Sequence, residues 1–428
     1  MSTDSTAQTV ASRANWAGNL VYRADRYVVP GSVEEAQDVV RAADKVQVVG
    51  SRHSFNEIAD TTGTQLSLER LNRVMFLDTT KRQVTVEGGV RYGEIGPYLH
   101  EQGYALHNTA SLPHISIAGA CATATHGSGA LGNLAVAVAG MEFIDGKGDL
   151  VTLSRETDRD ALAGAVINFG ALGVVTRLTL DLRPAFHIRQ DVFCELPLAA
   201  LEDHFDEIMS SGYSVSIFTA WQSDAIEQVW IKSAVEPGAT FVRRGSLFGA
   251  RPATENMHPI TGLDASNCTE QMGLVGPAYD RLPHFRMGFT PASGDELQVE
   301  YFVPAEYTVA AIRALRRHGD RLAPVLVMGE IRTVSADELW MSPCYQAACV
   351  AFHFSFKQDW HALKAVLPGL EDALAPFQPR PHWGKMFTMP SEDIRVHYPR
   401  LSDFRALLNR HDRGGKFRNG FVERNIFK

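Results

Sequence analysis

The segment VVGSRHSFN, residues 48–56, combines residue types that bind an anion with one that can react. Glycine lets a ligand approach the backbone closely, and serine hydroxyls with exposed N–H groups favour an anion. Arg52 adds positive charge. This pattern predicts a loop that wraps a phosphate-bearing cofactor. Phosphate binding does not require an imidazole, so His53 either contacts the cofactor or forms an ordinary hydrogen bond within its own turn.

A strand, a helix and a second strand are expected to position this loop. Residues 28–30 fit the end of a strand, and residues 46–49 fit the next one. Ser32 and Glu35 have the spacing of a capping box at the start of a helix. Apolar residues then keep helical spacing to about Asp44.

Two predicted strands in the second half of the chain also contain side chains that could take part in a reaction. In the strand predicted at residues 325–334, Glu330 and Arg332 point to the same face, because side chains alternate along a strand. The alternative is a salt bridge on an exposed face. In the strand at residues 351–356, His353 and Ser355 share one face and three phenylalanines share the other. The phenylalanines are expected in the core, and the polar face is expected to join Glu330 and Arg332.

Small residues dominate a second stretch, residues 108–132, where backbone can pack flat against a planar ligand. Three of its glycines, Gly127, Gly129 and Gly132, satisfy GxGxxG. A dinucleotide fingerprint would need a helix and then a parallel strand after them. Residues 141–144 and 150–153 instead flank the turn DGKGD and predict an antiparallel hairpin. A Rossmann unit is therefore not expected.

Composition limits the remaining classes of function. The chain has 428 residues, 45% of them hydrophobic, and a net charge of −8, which disfavours nucleic acid or an anionic membrane as partner. No apolar run approaches the ~20 residues that span a bilayer, and the polar start lacks a signal peptide, so a cytoplasmic location is expected. The five cysteines form no CxxC pair. Neither a metal site nor a disulfide framework is expected.

The chain resembles the alditol oxidases (xylitol and sorbitol oxidases) of the vanillyl-alcohol-oxidase superfamily over about residues 13–428. The resemblance is carried by PGSVEEAQDVVRAA with VQVVGSRHSFN, then SLPHIS, THGSG, GEIRTV and HWGKMF, in that order. In that family the histidine of the first loop is bonded covalently to the 8α-methyl group of FAD. The resemblance therefore implies covalent FAD at His53.

The resemblance also implies roles for other residues. Ala110 would lie near the flavin C4a and admit oxygen, although simple packing is the alternative. Ser111 would face flavin and substrate, or else serve as an ordinary turn residue. Val175 would lie on the adenine side. The implied cofactor-binding residues are Val49, Gly50, Ser51, Arg52, His53, Ser54, Ala110, Ser111, Ser116, Ile117, Ala118, Gly119, Thr123, Val175 and His382.

In the segment HWGKMF the chain would return to the flavin, with His382 touching FAD and Lys385 near the reacting carbon. The alternatives are a loop histidine and a solvated lysine. Substrate binding is predicted for Ser111, Glu330, Arg332 and Ser355, where the family usually has threonine at Ser355. The group that assists proton removal is one of His353, Arg332 and Lys385, and the sequence does not decide among them.

The expected fold is α+β, a two-domain flavoprotein of the vanillyl-alcohol-oxidase (PCMH) type with an FAD-binding domain and a cap of mixed antiparallel sheet. Residues 1–183 would form the FAD domain, 184–375 the cap, and 376–428 a segment that returns to the flavin. A disordered tail is expected at residues 1–13, and single helices at 198–211, 305–322, 359–367 and 391–409.

The function implied is oxidation of the terminal CH–OH of an alditol to an aldose, with O2 reduced to H2O2. A polyol, O2 and FAD would be the only partners of a monomer. One rival is a sugar-1,4-lactone oxidase or dehydrogenase of the same superfamily. The other is a non-catalytic flavoprotein, which the polar face of the cap argues against.

Overall fold

The computed structural model describes residues 13–130, 132–236, 238, 241, 243–288 and 296–428. The tail predicted at residues 1–13 thus lies, except for its last residue, outside the described residues.

The N-terminal part begins with a three-stranded parallel sheet, in the order Arg26–Val28, Thr64–Ser67, Val46–Val49. Its helix, Val33–Ala42, starts where predicted. The Ser32 hydroxyl accepts the N–H of Glu35, and the Glu35 carboxylate accepts the N–H of Gly31, one residue before the N-cap. The loop of residues 50–56 follows directly after the strand Val46–Val49, which is an edge strand of this sheet.

A five-stranded antiparallel sheet follows, in the order Val74–Asp78, Gln83–Glu87, Val174–Asp181, Val138–Ile144, Leu150–Ser154. The predicted hairpin after the GxGxxG stretch is confirmed, because its two strands pair antiparallel. The accompanying helices are Tyr92–Glu101, Ile117–Ala122 and Arg159–Ala165, with 3-10 turns at Glu57–Ala59 and Leu134–Ala137.

The second domain is organised on a nine-stranded sheet whose pairings are antiparallel. Its order is Arg251–Pro252, His187–Pro197, Ala225–Val235, Ser214–Thr219, Leu326–Val334, Cys349–Lys357, Glu296–Pro304, Arg380–Pro381, with Gly276–Pro277 also pairing with His187–Pro197. A two-stranded ladder, Tyr104–Ala105 with Arg183–Pro184, lies near the change of domain. The helices of this domain are Leu198–Asp203, Phe205–Met209, Ala278–Arg281, Thr308–Arg316, Gly319–Leu322 and Trp360–Leu374, and 3-10 turns lie at Ala305–Tyr307 and Ala375–Phe377.

Four predicted helices differ from the observed ones. The helix expected at residues 198–211 is interrupted at His204, whose φ of −128° is not helical. The helix expected at 305–322 is divided into a 3-10 turn and two short helices. The helix predicted to end at residue 367 continues to Leu374 through Pro368, and the one predicted at 391–409 is two helices, Ser391–Arg395 and Leu401–His411.

A small hydrophobic cluster packs the helix Val33–Ala42 on the parallel sheet, and the two largest clusters of the described residues hold most of the other elements. The larger one joins residues 58–180 to residues 340–426, so the last helices, including Gly420–Val422 and the π-helix Glu423–Phe427, pack against the N-terminal domain. The other lies beneath the large sheet, and Phe352, Phe354 and Phe356 are buried in it as predicted. The exact boundaries at residues 183 and 375 stay predictions.

Within the described residues, the cysteines are all free, no cluster of side chains could hold a metal ion, and no helix is long and apolar enough to cross a membrane.

Candidate active site

A cavity of about 310 Å³ lies between the N-terminal domain and the polar face of the large sheet. Its wall brings together the predicted cofactor-binding residues Val49, Gly50, Ser51, Arg52, His53, Ser54, Ala110, Ser111, Ser116, Ala118, Gly119, Thr123, Val175 and His382. The opposite wall holds the predicted substrate and catalytic residues Glu330, Arg332, His353, Ser355 and Lys385. Ile117 does not line the cavity, because its side chain is buried in the N-terminal core. A contact of its backbone with FAD stays a prediction.

The loop after Val49 packs directly against the start of the helix Ile117–Ala122. A Cβ atom on Gly50 would lie 2.6 Å from the Ser116 hydroxyl, and one on Gly119 would lie 2.8 Å from it. The Ser51 hydroxyl accepts the N–H of Ser116 at 2.8 Å. Glycine at both places leaves an open cradle of backbone and small side chains. Such a surface fits a flat ligand that carries phosphate.

His53 projects from this loop into the cavity and not back onto its own turn. Its ring stacks on Trp16, with centroids 4.9 Å apart, and contacts His114 at 4.6 Å. Within the described residues, no hydrogen bond joins the ring to its own loop. The preceding residue, Arg52, has a φ of 61°, a left-handed conformation that a non-glycine residue seldom adopts. The turn-histidine alternative is therefore wrong.

The pKa of His53 is lowered to about 3, first by burial and then by His114 and Lys385. The imidazole is thus neutral near pH 7. A neutral imidazole has a free electron pair on one nitrogen, which is the property that a covalent bond to carbon requires.

The GxGxxG glycines serve packing. A Cβ on Gly127 would lie 2.5 Å from the Asn108 side chain, and one on Gly132 would lie 3.0 Å from Val334. Gly129 has a φ of +90° and faces the Tyr213 carbonyl. No phosphate is needed to explain these glycines, which agrees with the antiparallel hairpin that follows.

On the opposite wall, pairing of three strands places a carboxylate, an imidazole and a second carboxylate in one row. Glu330 pairs with His353, and His353 pairs with Glu300 on the next strand. All three side chains are buried. Glu300 was not predicted as a site residue. Its signal was present, because Glu296, Gln298 and Glu300 alternate along a strand just as Glu330 and Arg332 do.

Arg332 lies between the two carboxylates. Its guanidinium is 3.4 Å from Glu330 Oε1 and 3.4 Å from Glu300 Oε1, and its Nη1 donates to the Ser111 hydroxyl at 3.4 Å. With 8% of its surface exposed, Arg332 does not lie on an outer face. The alternative of a surface salt bridge is wrong. Through Ser111, Arg332 joins the large sheet to the loop predicted to face the flavin.

The carboxylates remain ionised despite their burial. Burial alone would raise the pKa of Glu330, but Arg332 and the hydrogen bond from His284 lower it below its usual value. Burial likewise opposes ionisation of Glu300, and His126 and His353 lower its pKa. His126 bonds Glu300 Oε1 at 3.1 Å. The cavity therefore presents fixed negative charges beside a guanidinium.

His353 is hydrogen-bonded to one neighbour on the polar face and lies near a second. Its Nε2 is 3.2 Å from the Ser355 hydroxyl, and its Nδ1 is 3.9 Å from Glu300 Oε2. Burial and the charge of Lys385 lower its pKa. Neutral His353 is thus held within the sheet face and orients Ser355.

Lys385 enters the cavity from the segment after the last strand of the large sheet. Its amine donates to the Gln298 amide oxygen, and burial lowers its pKa. It is therefore not a solvated lysine. His382 bonds within its loop, accepting the N–H of Gly384 at 3.0 Å, and also lines the cavity, with a pKa lowered by burial to about 3.

The cofactor loop holds this segment directly. Phe55 N–H donates to the Gly384 carbonyl at 2.8 Å, and the Asn56 amide donates to the carbonyls of Trp383 and Lys385 at 2.8 and 2.7 Å. The histidine loop and the lysine segment thus form one unit, although more than 300 residues separate them in the chain.

Comparison with known proteins agrees with this geometry. The FAD binding domain family matches residues 24–154, and the D-arabinono-1,4-lactone oxidase family matches residues 295–425. Over 412 residues the chain is 47% identical to an alditol oxidase of Streptomyces sp. (strain IKD472 / FERM P-14339), covering 95% of this chain and 97% of that enzyme. The chain belongs to the alditol oxidase family.

More distant relatives share the architecture. An L-gulono-1,4-lactone dehydrogenase of Mycobacterium tuberculosis is 27% identical, with 96% of this chain and 98% of that one covered. The crystal structure of cholesterol oxidase from B. sterolicum superposes with a TM-score of 0.76 at 14% identity and covers 96% of both chains. That likeness shows the two-domain flavoprotein fold predicted for this alditol oxidase family member.

Proposed function

We propose that this chain oxidises the terminal CH–OH of an alditol such as xylitol or sorbitol to the aldose, with FAD as cofactor and O2 as acceptor. The observation that carries the proposal is the buried row of Glu330, His353 and Glu300 with Arg332, facing a cofactor loop across one cavity. A polyol is a chain of hydroxyls, and this wall offers acceptors and donors at strand spacing.

FAD fits the N-terminal wall, where Gly50, Gly119 and Ser116 leave the cradle described above. When bound, FAD would accept the hydride and then pass the two electrons to O2. We propose that neutral His53 holds the cofactor covalently. Its position in the cavity and its lowered pKa support this link.

The reaction removes a hydride from C1 and a proton from O1, and O2 leaves as H2O2. Arg332 is permanently charged, so it stabilises negative charge on O1 and cannot take the proton. We assign proton acceptance to Lys385. Burial lowers its pKa, which brings the amine closer to the form that can accept a proton, and Gln298 fixes its direction. His353 Nε2 is hydrogen-bonded to the Ser355 hydroxyl, and we propose that His353 acts by orienting it.

A sugar-1,4-lactone is the second substrate class that a specific observation favours. The lactone oxidase family matches residues 295–425, which include Glu330, Arg332 and Lys385. In an aldono-1,4-lactone the C1 carboxyl and the C4 hydroxyl are joined in a ring ester, so the same polar wall would contact fewer free hydroxyls. Activity on an aldono-1,4-lactone and none on xylitol would favour this second function.

The test is anaerobic mixing of the purified holoenzyme with excess xylitol while flavin absorbance is followed. Rapid bleaching, with colour and peroxide returning when air is admitted, is the expected result. A yellow protein that bleaches with a lactone and not with xylitol contradicts the alditol proposal. A yellow protein that no polyol or lactone bleaches supports a non-catalytic flavoprotein.

The monomeric state and the cytoplasmic location stay predictions, and size-exclusion chromatography with light scattering tests the first.

A further inference from the structure

Lys232 is a buried charge that the reaction described above does not use. It lies on the strand Ala225–Val235, on the same face of the sheet as the active-site row, with 1% of its surface exposed. Its ammonium donates to the carbonyls of Leu282 and Pro283 at 2.5 and 2.8 Å and to His284 Nδ1 at 3.1 Å. Three acceptors match the three hydrogens of the charged form.

The Glu330 carboxylate decides which nitrogen of His284 carries the proton. Its lowered pKa keeps it ionised, so it can only accept, and the ring proton lies on Nε2. Nδ1 then accepts from Lys232, although burial lowers the pKa of Lys232. His284 Nε2 is 2.9 Å from Glu330 Oε1 and therefore donates to it. Burial and the neighbouring charge of Lys232 lower the pKa of His284 to about 4, so the neutral tautomer persists at pH 7.

The arrangement leaves the two oxygens of Glu330 unequal. His284 donates to Oε1, and Arg332 Nε lies 3.4 Å from the same atom. Within the described residues, no hydrogen bond reaches Oε2, and Glu330 lines the cavity. One oxygen is fixed by protein, and the other is available to a ligand.

We propose that Lys232 and His284 are positioning residues that hold Glu330 so that Oε2 accepts a hydroxyl of the substrate beyond C2. Arg332 Nη1 faces the Ser111 hydroxyl, whereas Arg332 Nε lies 3.4 Å from Glu330 Oε1, so Glu330 lies beside the Nε edge of the guanidinium and not beside Ser111. With Arg332 at O1, Glu330 therefore meets the chain of the polyol away from the reacting carbon. This relay of hydrogen bonds from Lys232 through His284 to Glu330 would make the enzyme prefer polyhydroxylated chains to simple alcohols. This inference rests on the proposed function.

The test compares two substrates of equal carbon number. Xylitol has hydroxyls at C3 to C5, whereas 1,2-pentanediol has the same reacting end and lacks them. His284→Leu removes the donor to Glu330, so KM for xylitol should rise about tenfold to hundredfold. KM for 1,2-pentanediol and kcat for both substrates should stay close to the wild-type values.

Two further variants separate positioning from mere packing. His284→Gln keeps an N–H that can reach Glu330, so it should return KM for xylitol to within about twofold to threefold of wild type. In a double-mutant cycle, Glu330→Gln combined with His284→Leu should cost no more than the larger single loss. His411→Leu is the matched control, because this histidine packs on Phe143 and does not line the cavity, and it should leave both substrates unaffected.

Equal losses on both substrates, or losses that add in the double variant, would overturn the relay. So would a His284→Gln variant as impaired as His284→Leu while both keep wild-type flavin content and thermal midpoint. These outcomes are distinct from failure of the proposed function, since in that case the wild-type protein itself would not be reduced by xylitol.

Discussion

The wall of the cavity formed by the N-terminal domain is made of backbone and small side chains, whereas the wall formed by the large sheet is made of charged ones. On the first wall, glycine and serine residues of two loops approach within contact distance, and His53 is neutral. On the second, Glu330, Glu300 and Arg332 are buried and paired.

The difference follows from the ligands. A cofactor that stays bound is held by shape and by many backbone contacts, and one neutral nucleophile can attach it. A substrate that must leave is recognised by a few strong, directed groups, whose desolvation is compensated by one another. Substitutions on the first wall should therefore change cofactor retention, and those on the second should change turnover.

The largest effect is expected for His53→Ala. Acid-precipitated wild-type protein should be yellow, and the variant should give a colourless pellet, because no other residue of the loop offers the nucleophile. The pellet's absorbance after washing measures this. Colour that washes out of the wild-type pellet would reject the covalent link, and His114→Ala, which removes only a ring neighbour, should stay yellow.

Next come the residues of the charged wall. Arg332→Ala and Lys385→Ala should each lower kcat by about 10² to 10³ while bound flavin is unchanged. Lys385→Arg keeps the charge but cannot accept a proton, so it should be impaired as much as Lys385→Ala. Stopped-flow reduction by xylitol is the measurement. Near wild-type reduction in Lys385→Arg would show that charge, and not proton acceptance, is what this position supplies.

A smaller effect is expected where the two walls are joined. Asn56→Ala removes both amide donors to the carbonyls of Trp383 and Lys385, and it should lower the free energy of unfolding by about 1–3 kcal/mol. Asn56 also caps the turn Glu57–Ala59, so Asn56→Ser, which keeps a capping oxygen, is the control for that loss. Denaturant unfolding of both variants measures the difference. Equal unfolding midpoints in Asn56→Ala and wild type would argue against this role.

The smallest effect per residue is on the response to pH. The pKa values of His382 and His284 are about 3 and 4 in the folded protein, below the ordinary value of 6.5. Between about pH 4 and 6.5 the unfolded chain therefore binds more protons, and stability falls as pH is lowered through this window. Each histidine should contribute about 1.4 kcal/mol per pH unit. Urea unfolding at pH 7.5 and 5.5 tests this, and His284→Leu should show the shallower slope.

The first wall could be predicted from sequence because its residues are contiguous. The loop at 48–56 and the stretch at 108–123 are each recognisable as a motif of the family that the chain resembles, although the contact between them, from Ser51 to Ser116, is seen only in the structure. The second wall could be predicted only in part. Period-two alternation identified Glu330, Arg332, His353 and Ser355, but only the register between strands places Glu300 beside them.

His284 had no local signal, because it lies in a loop-rich region and owes its role to Lys232, 52 residues away. The helix errors have a similar cause. Apolar spacing at residues 198–211 and 305–322 continues across the observed breaks, so the spacing does not mark where each helix is interrupted.

The bonds from Phe55 and Asn56 to residues 383–385 also bear on how the protein is made. Contacts between such distant parts of a chain form late, because the loop between them must close first. The surroundings of His53 are thus complete only after the segment that carries Lys385 has been synthesised. Flavin would then attach only after the whole chain has been synthesised and has folded. Chains truncated after residue 380 should carry no acid-stable flavin.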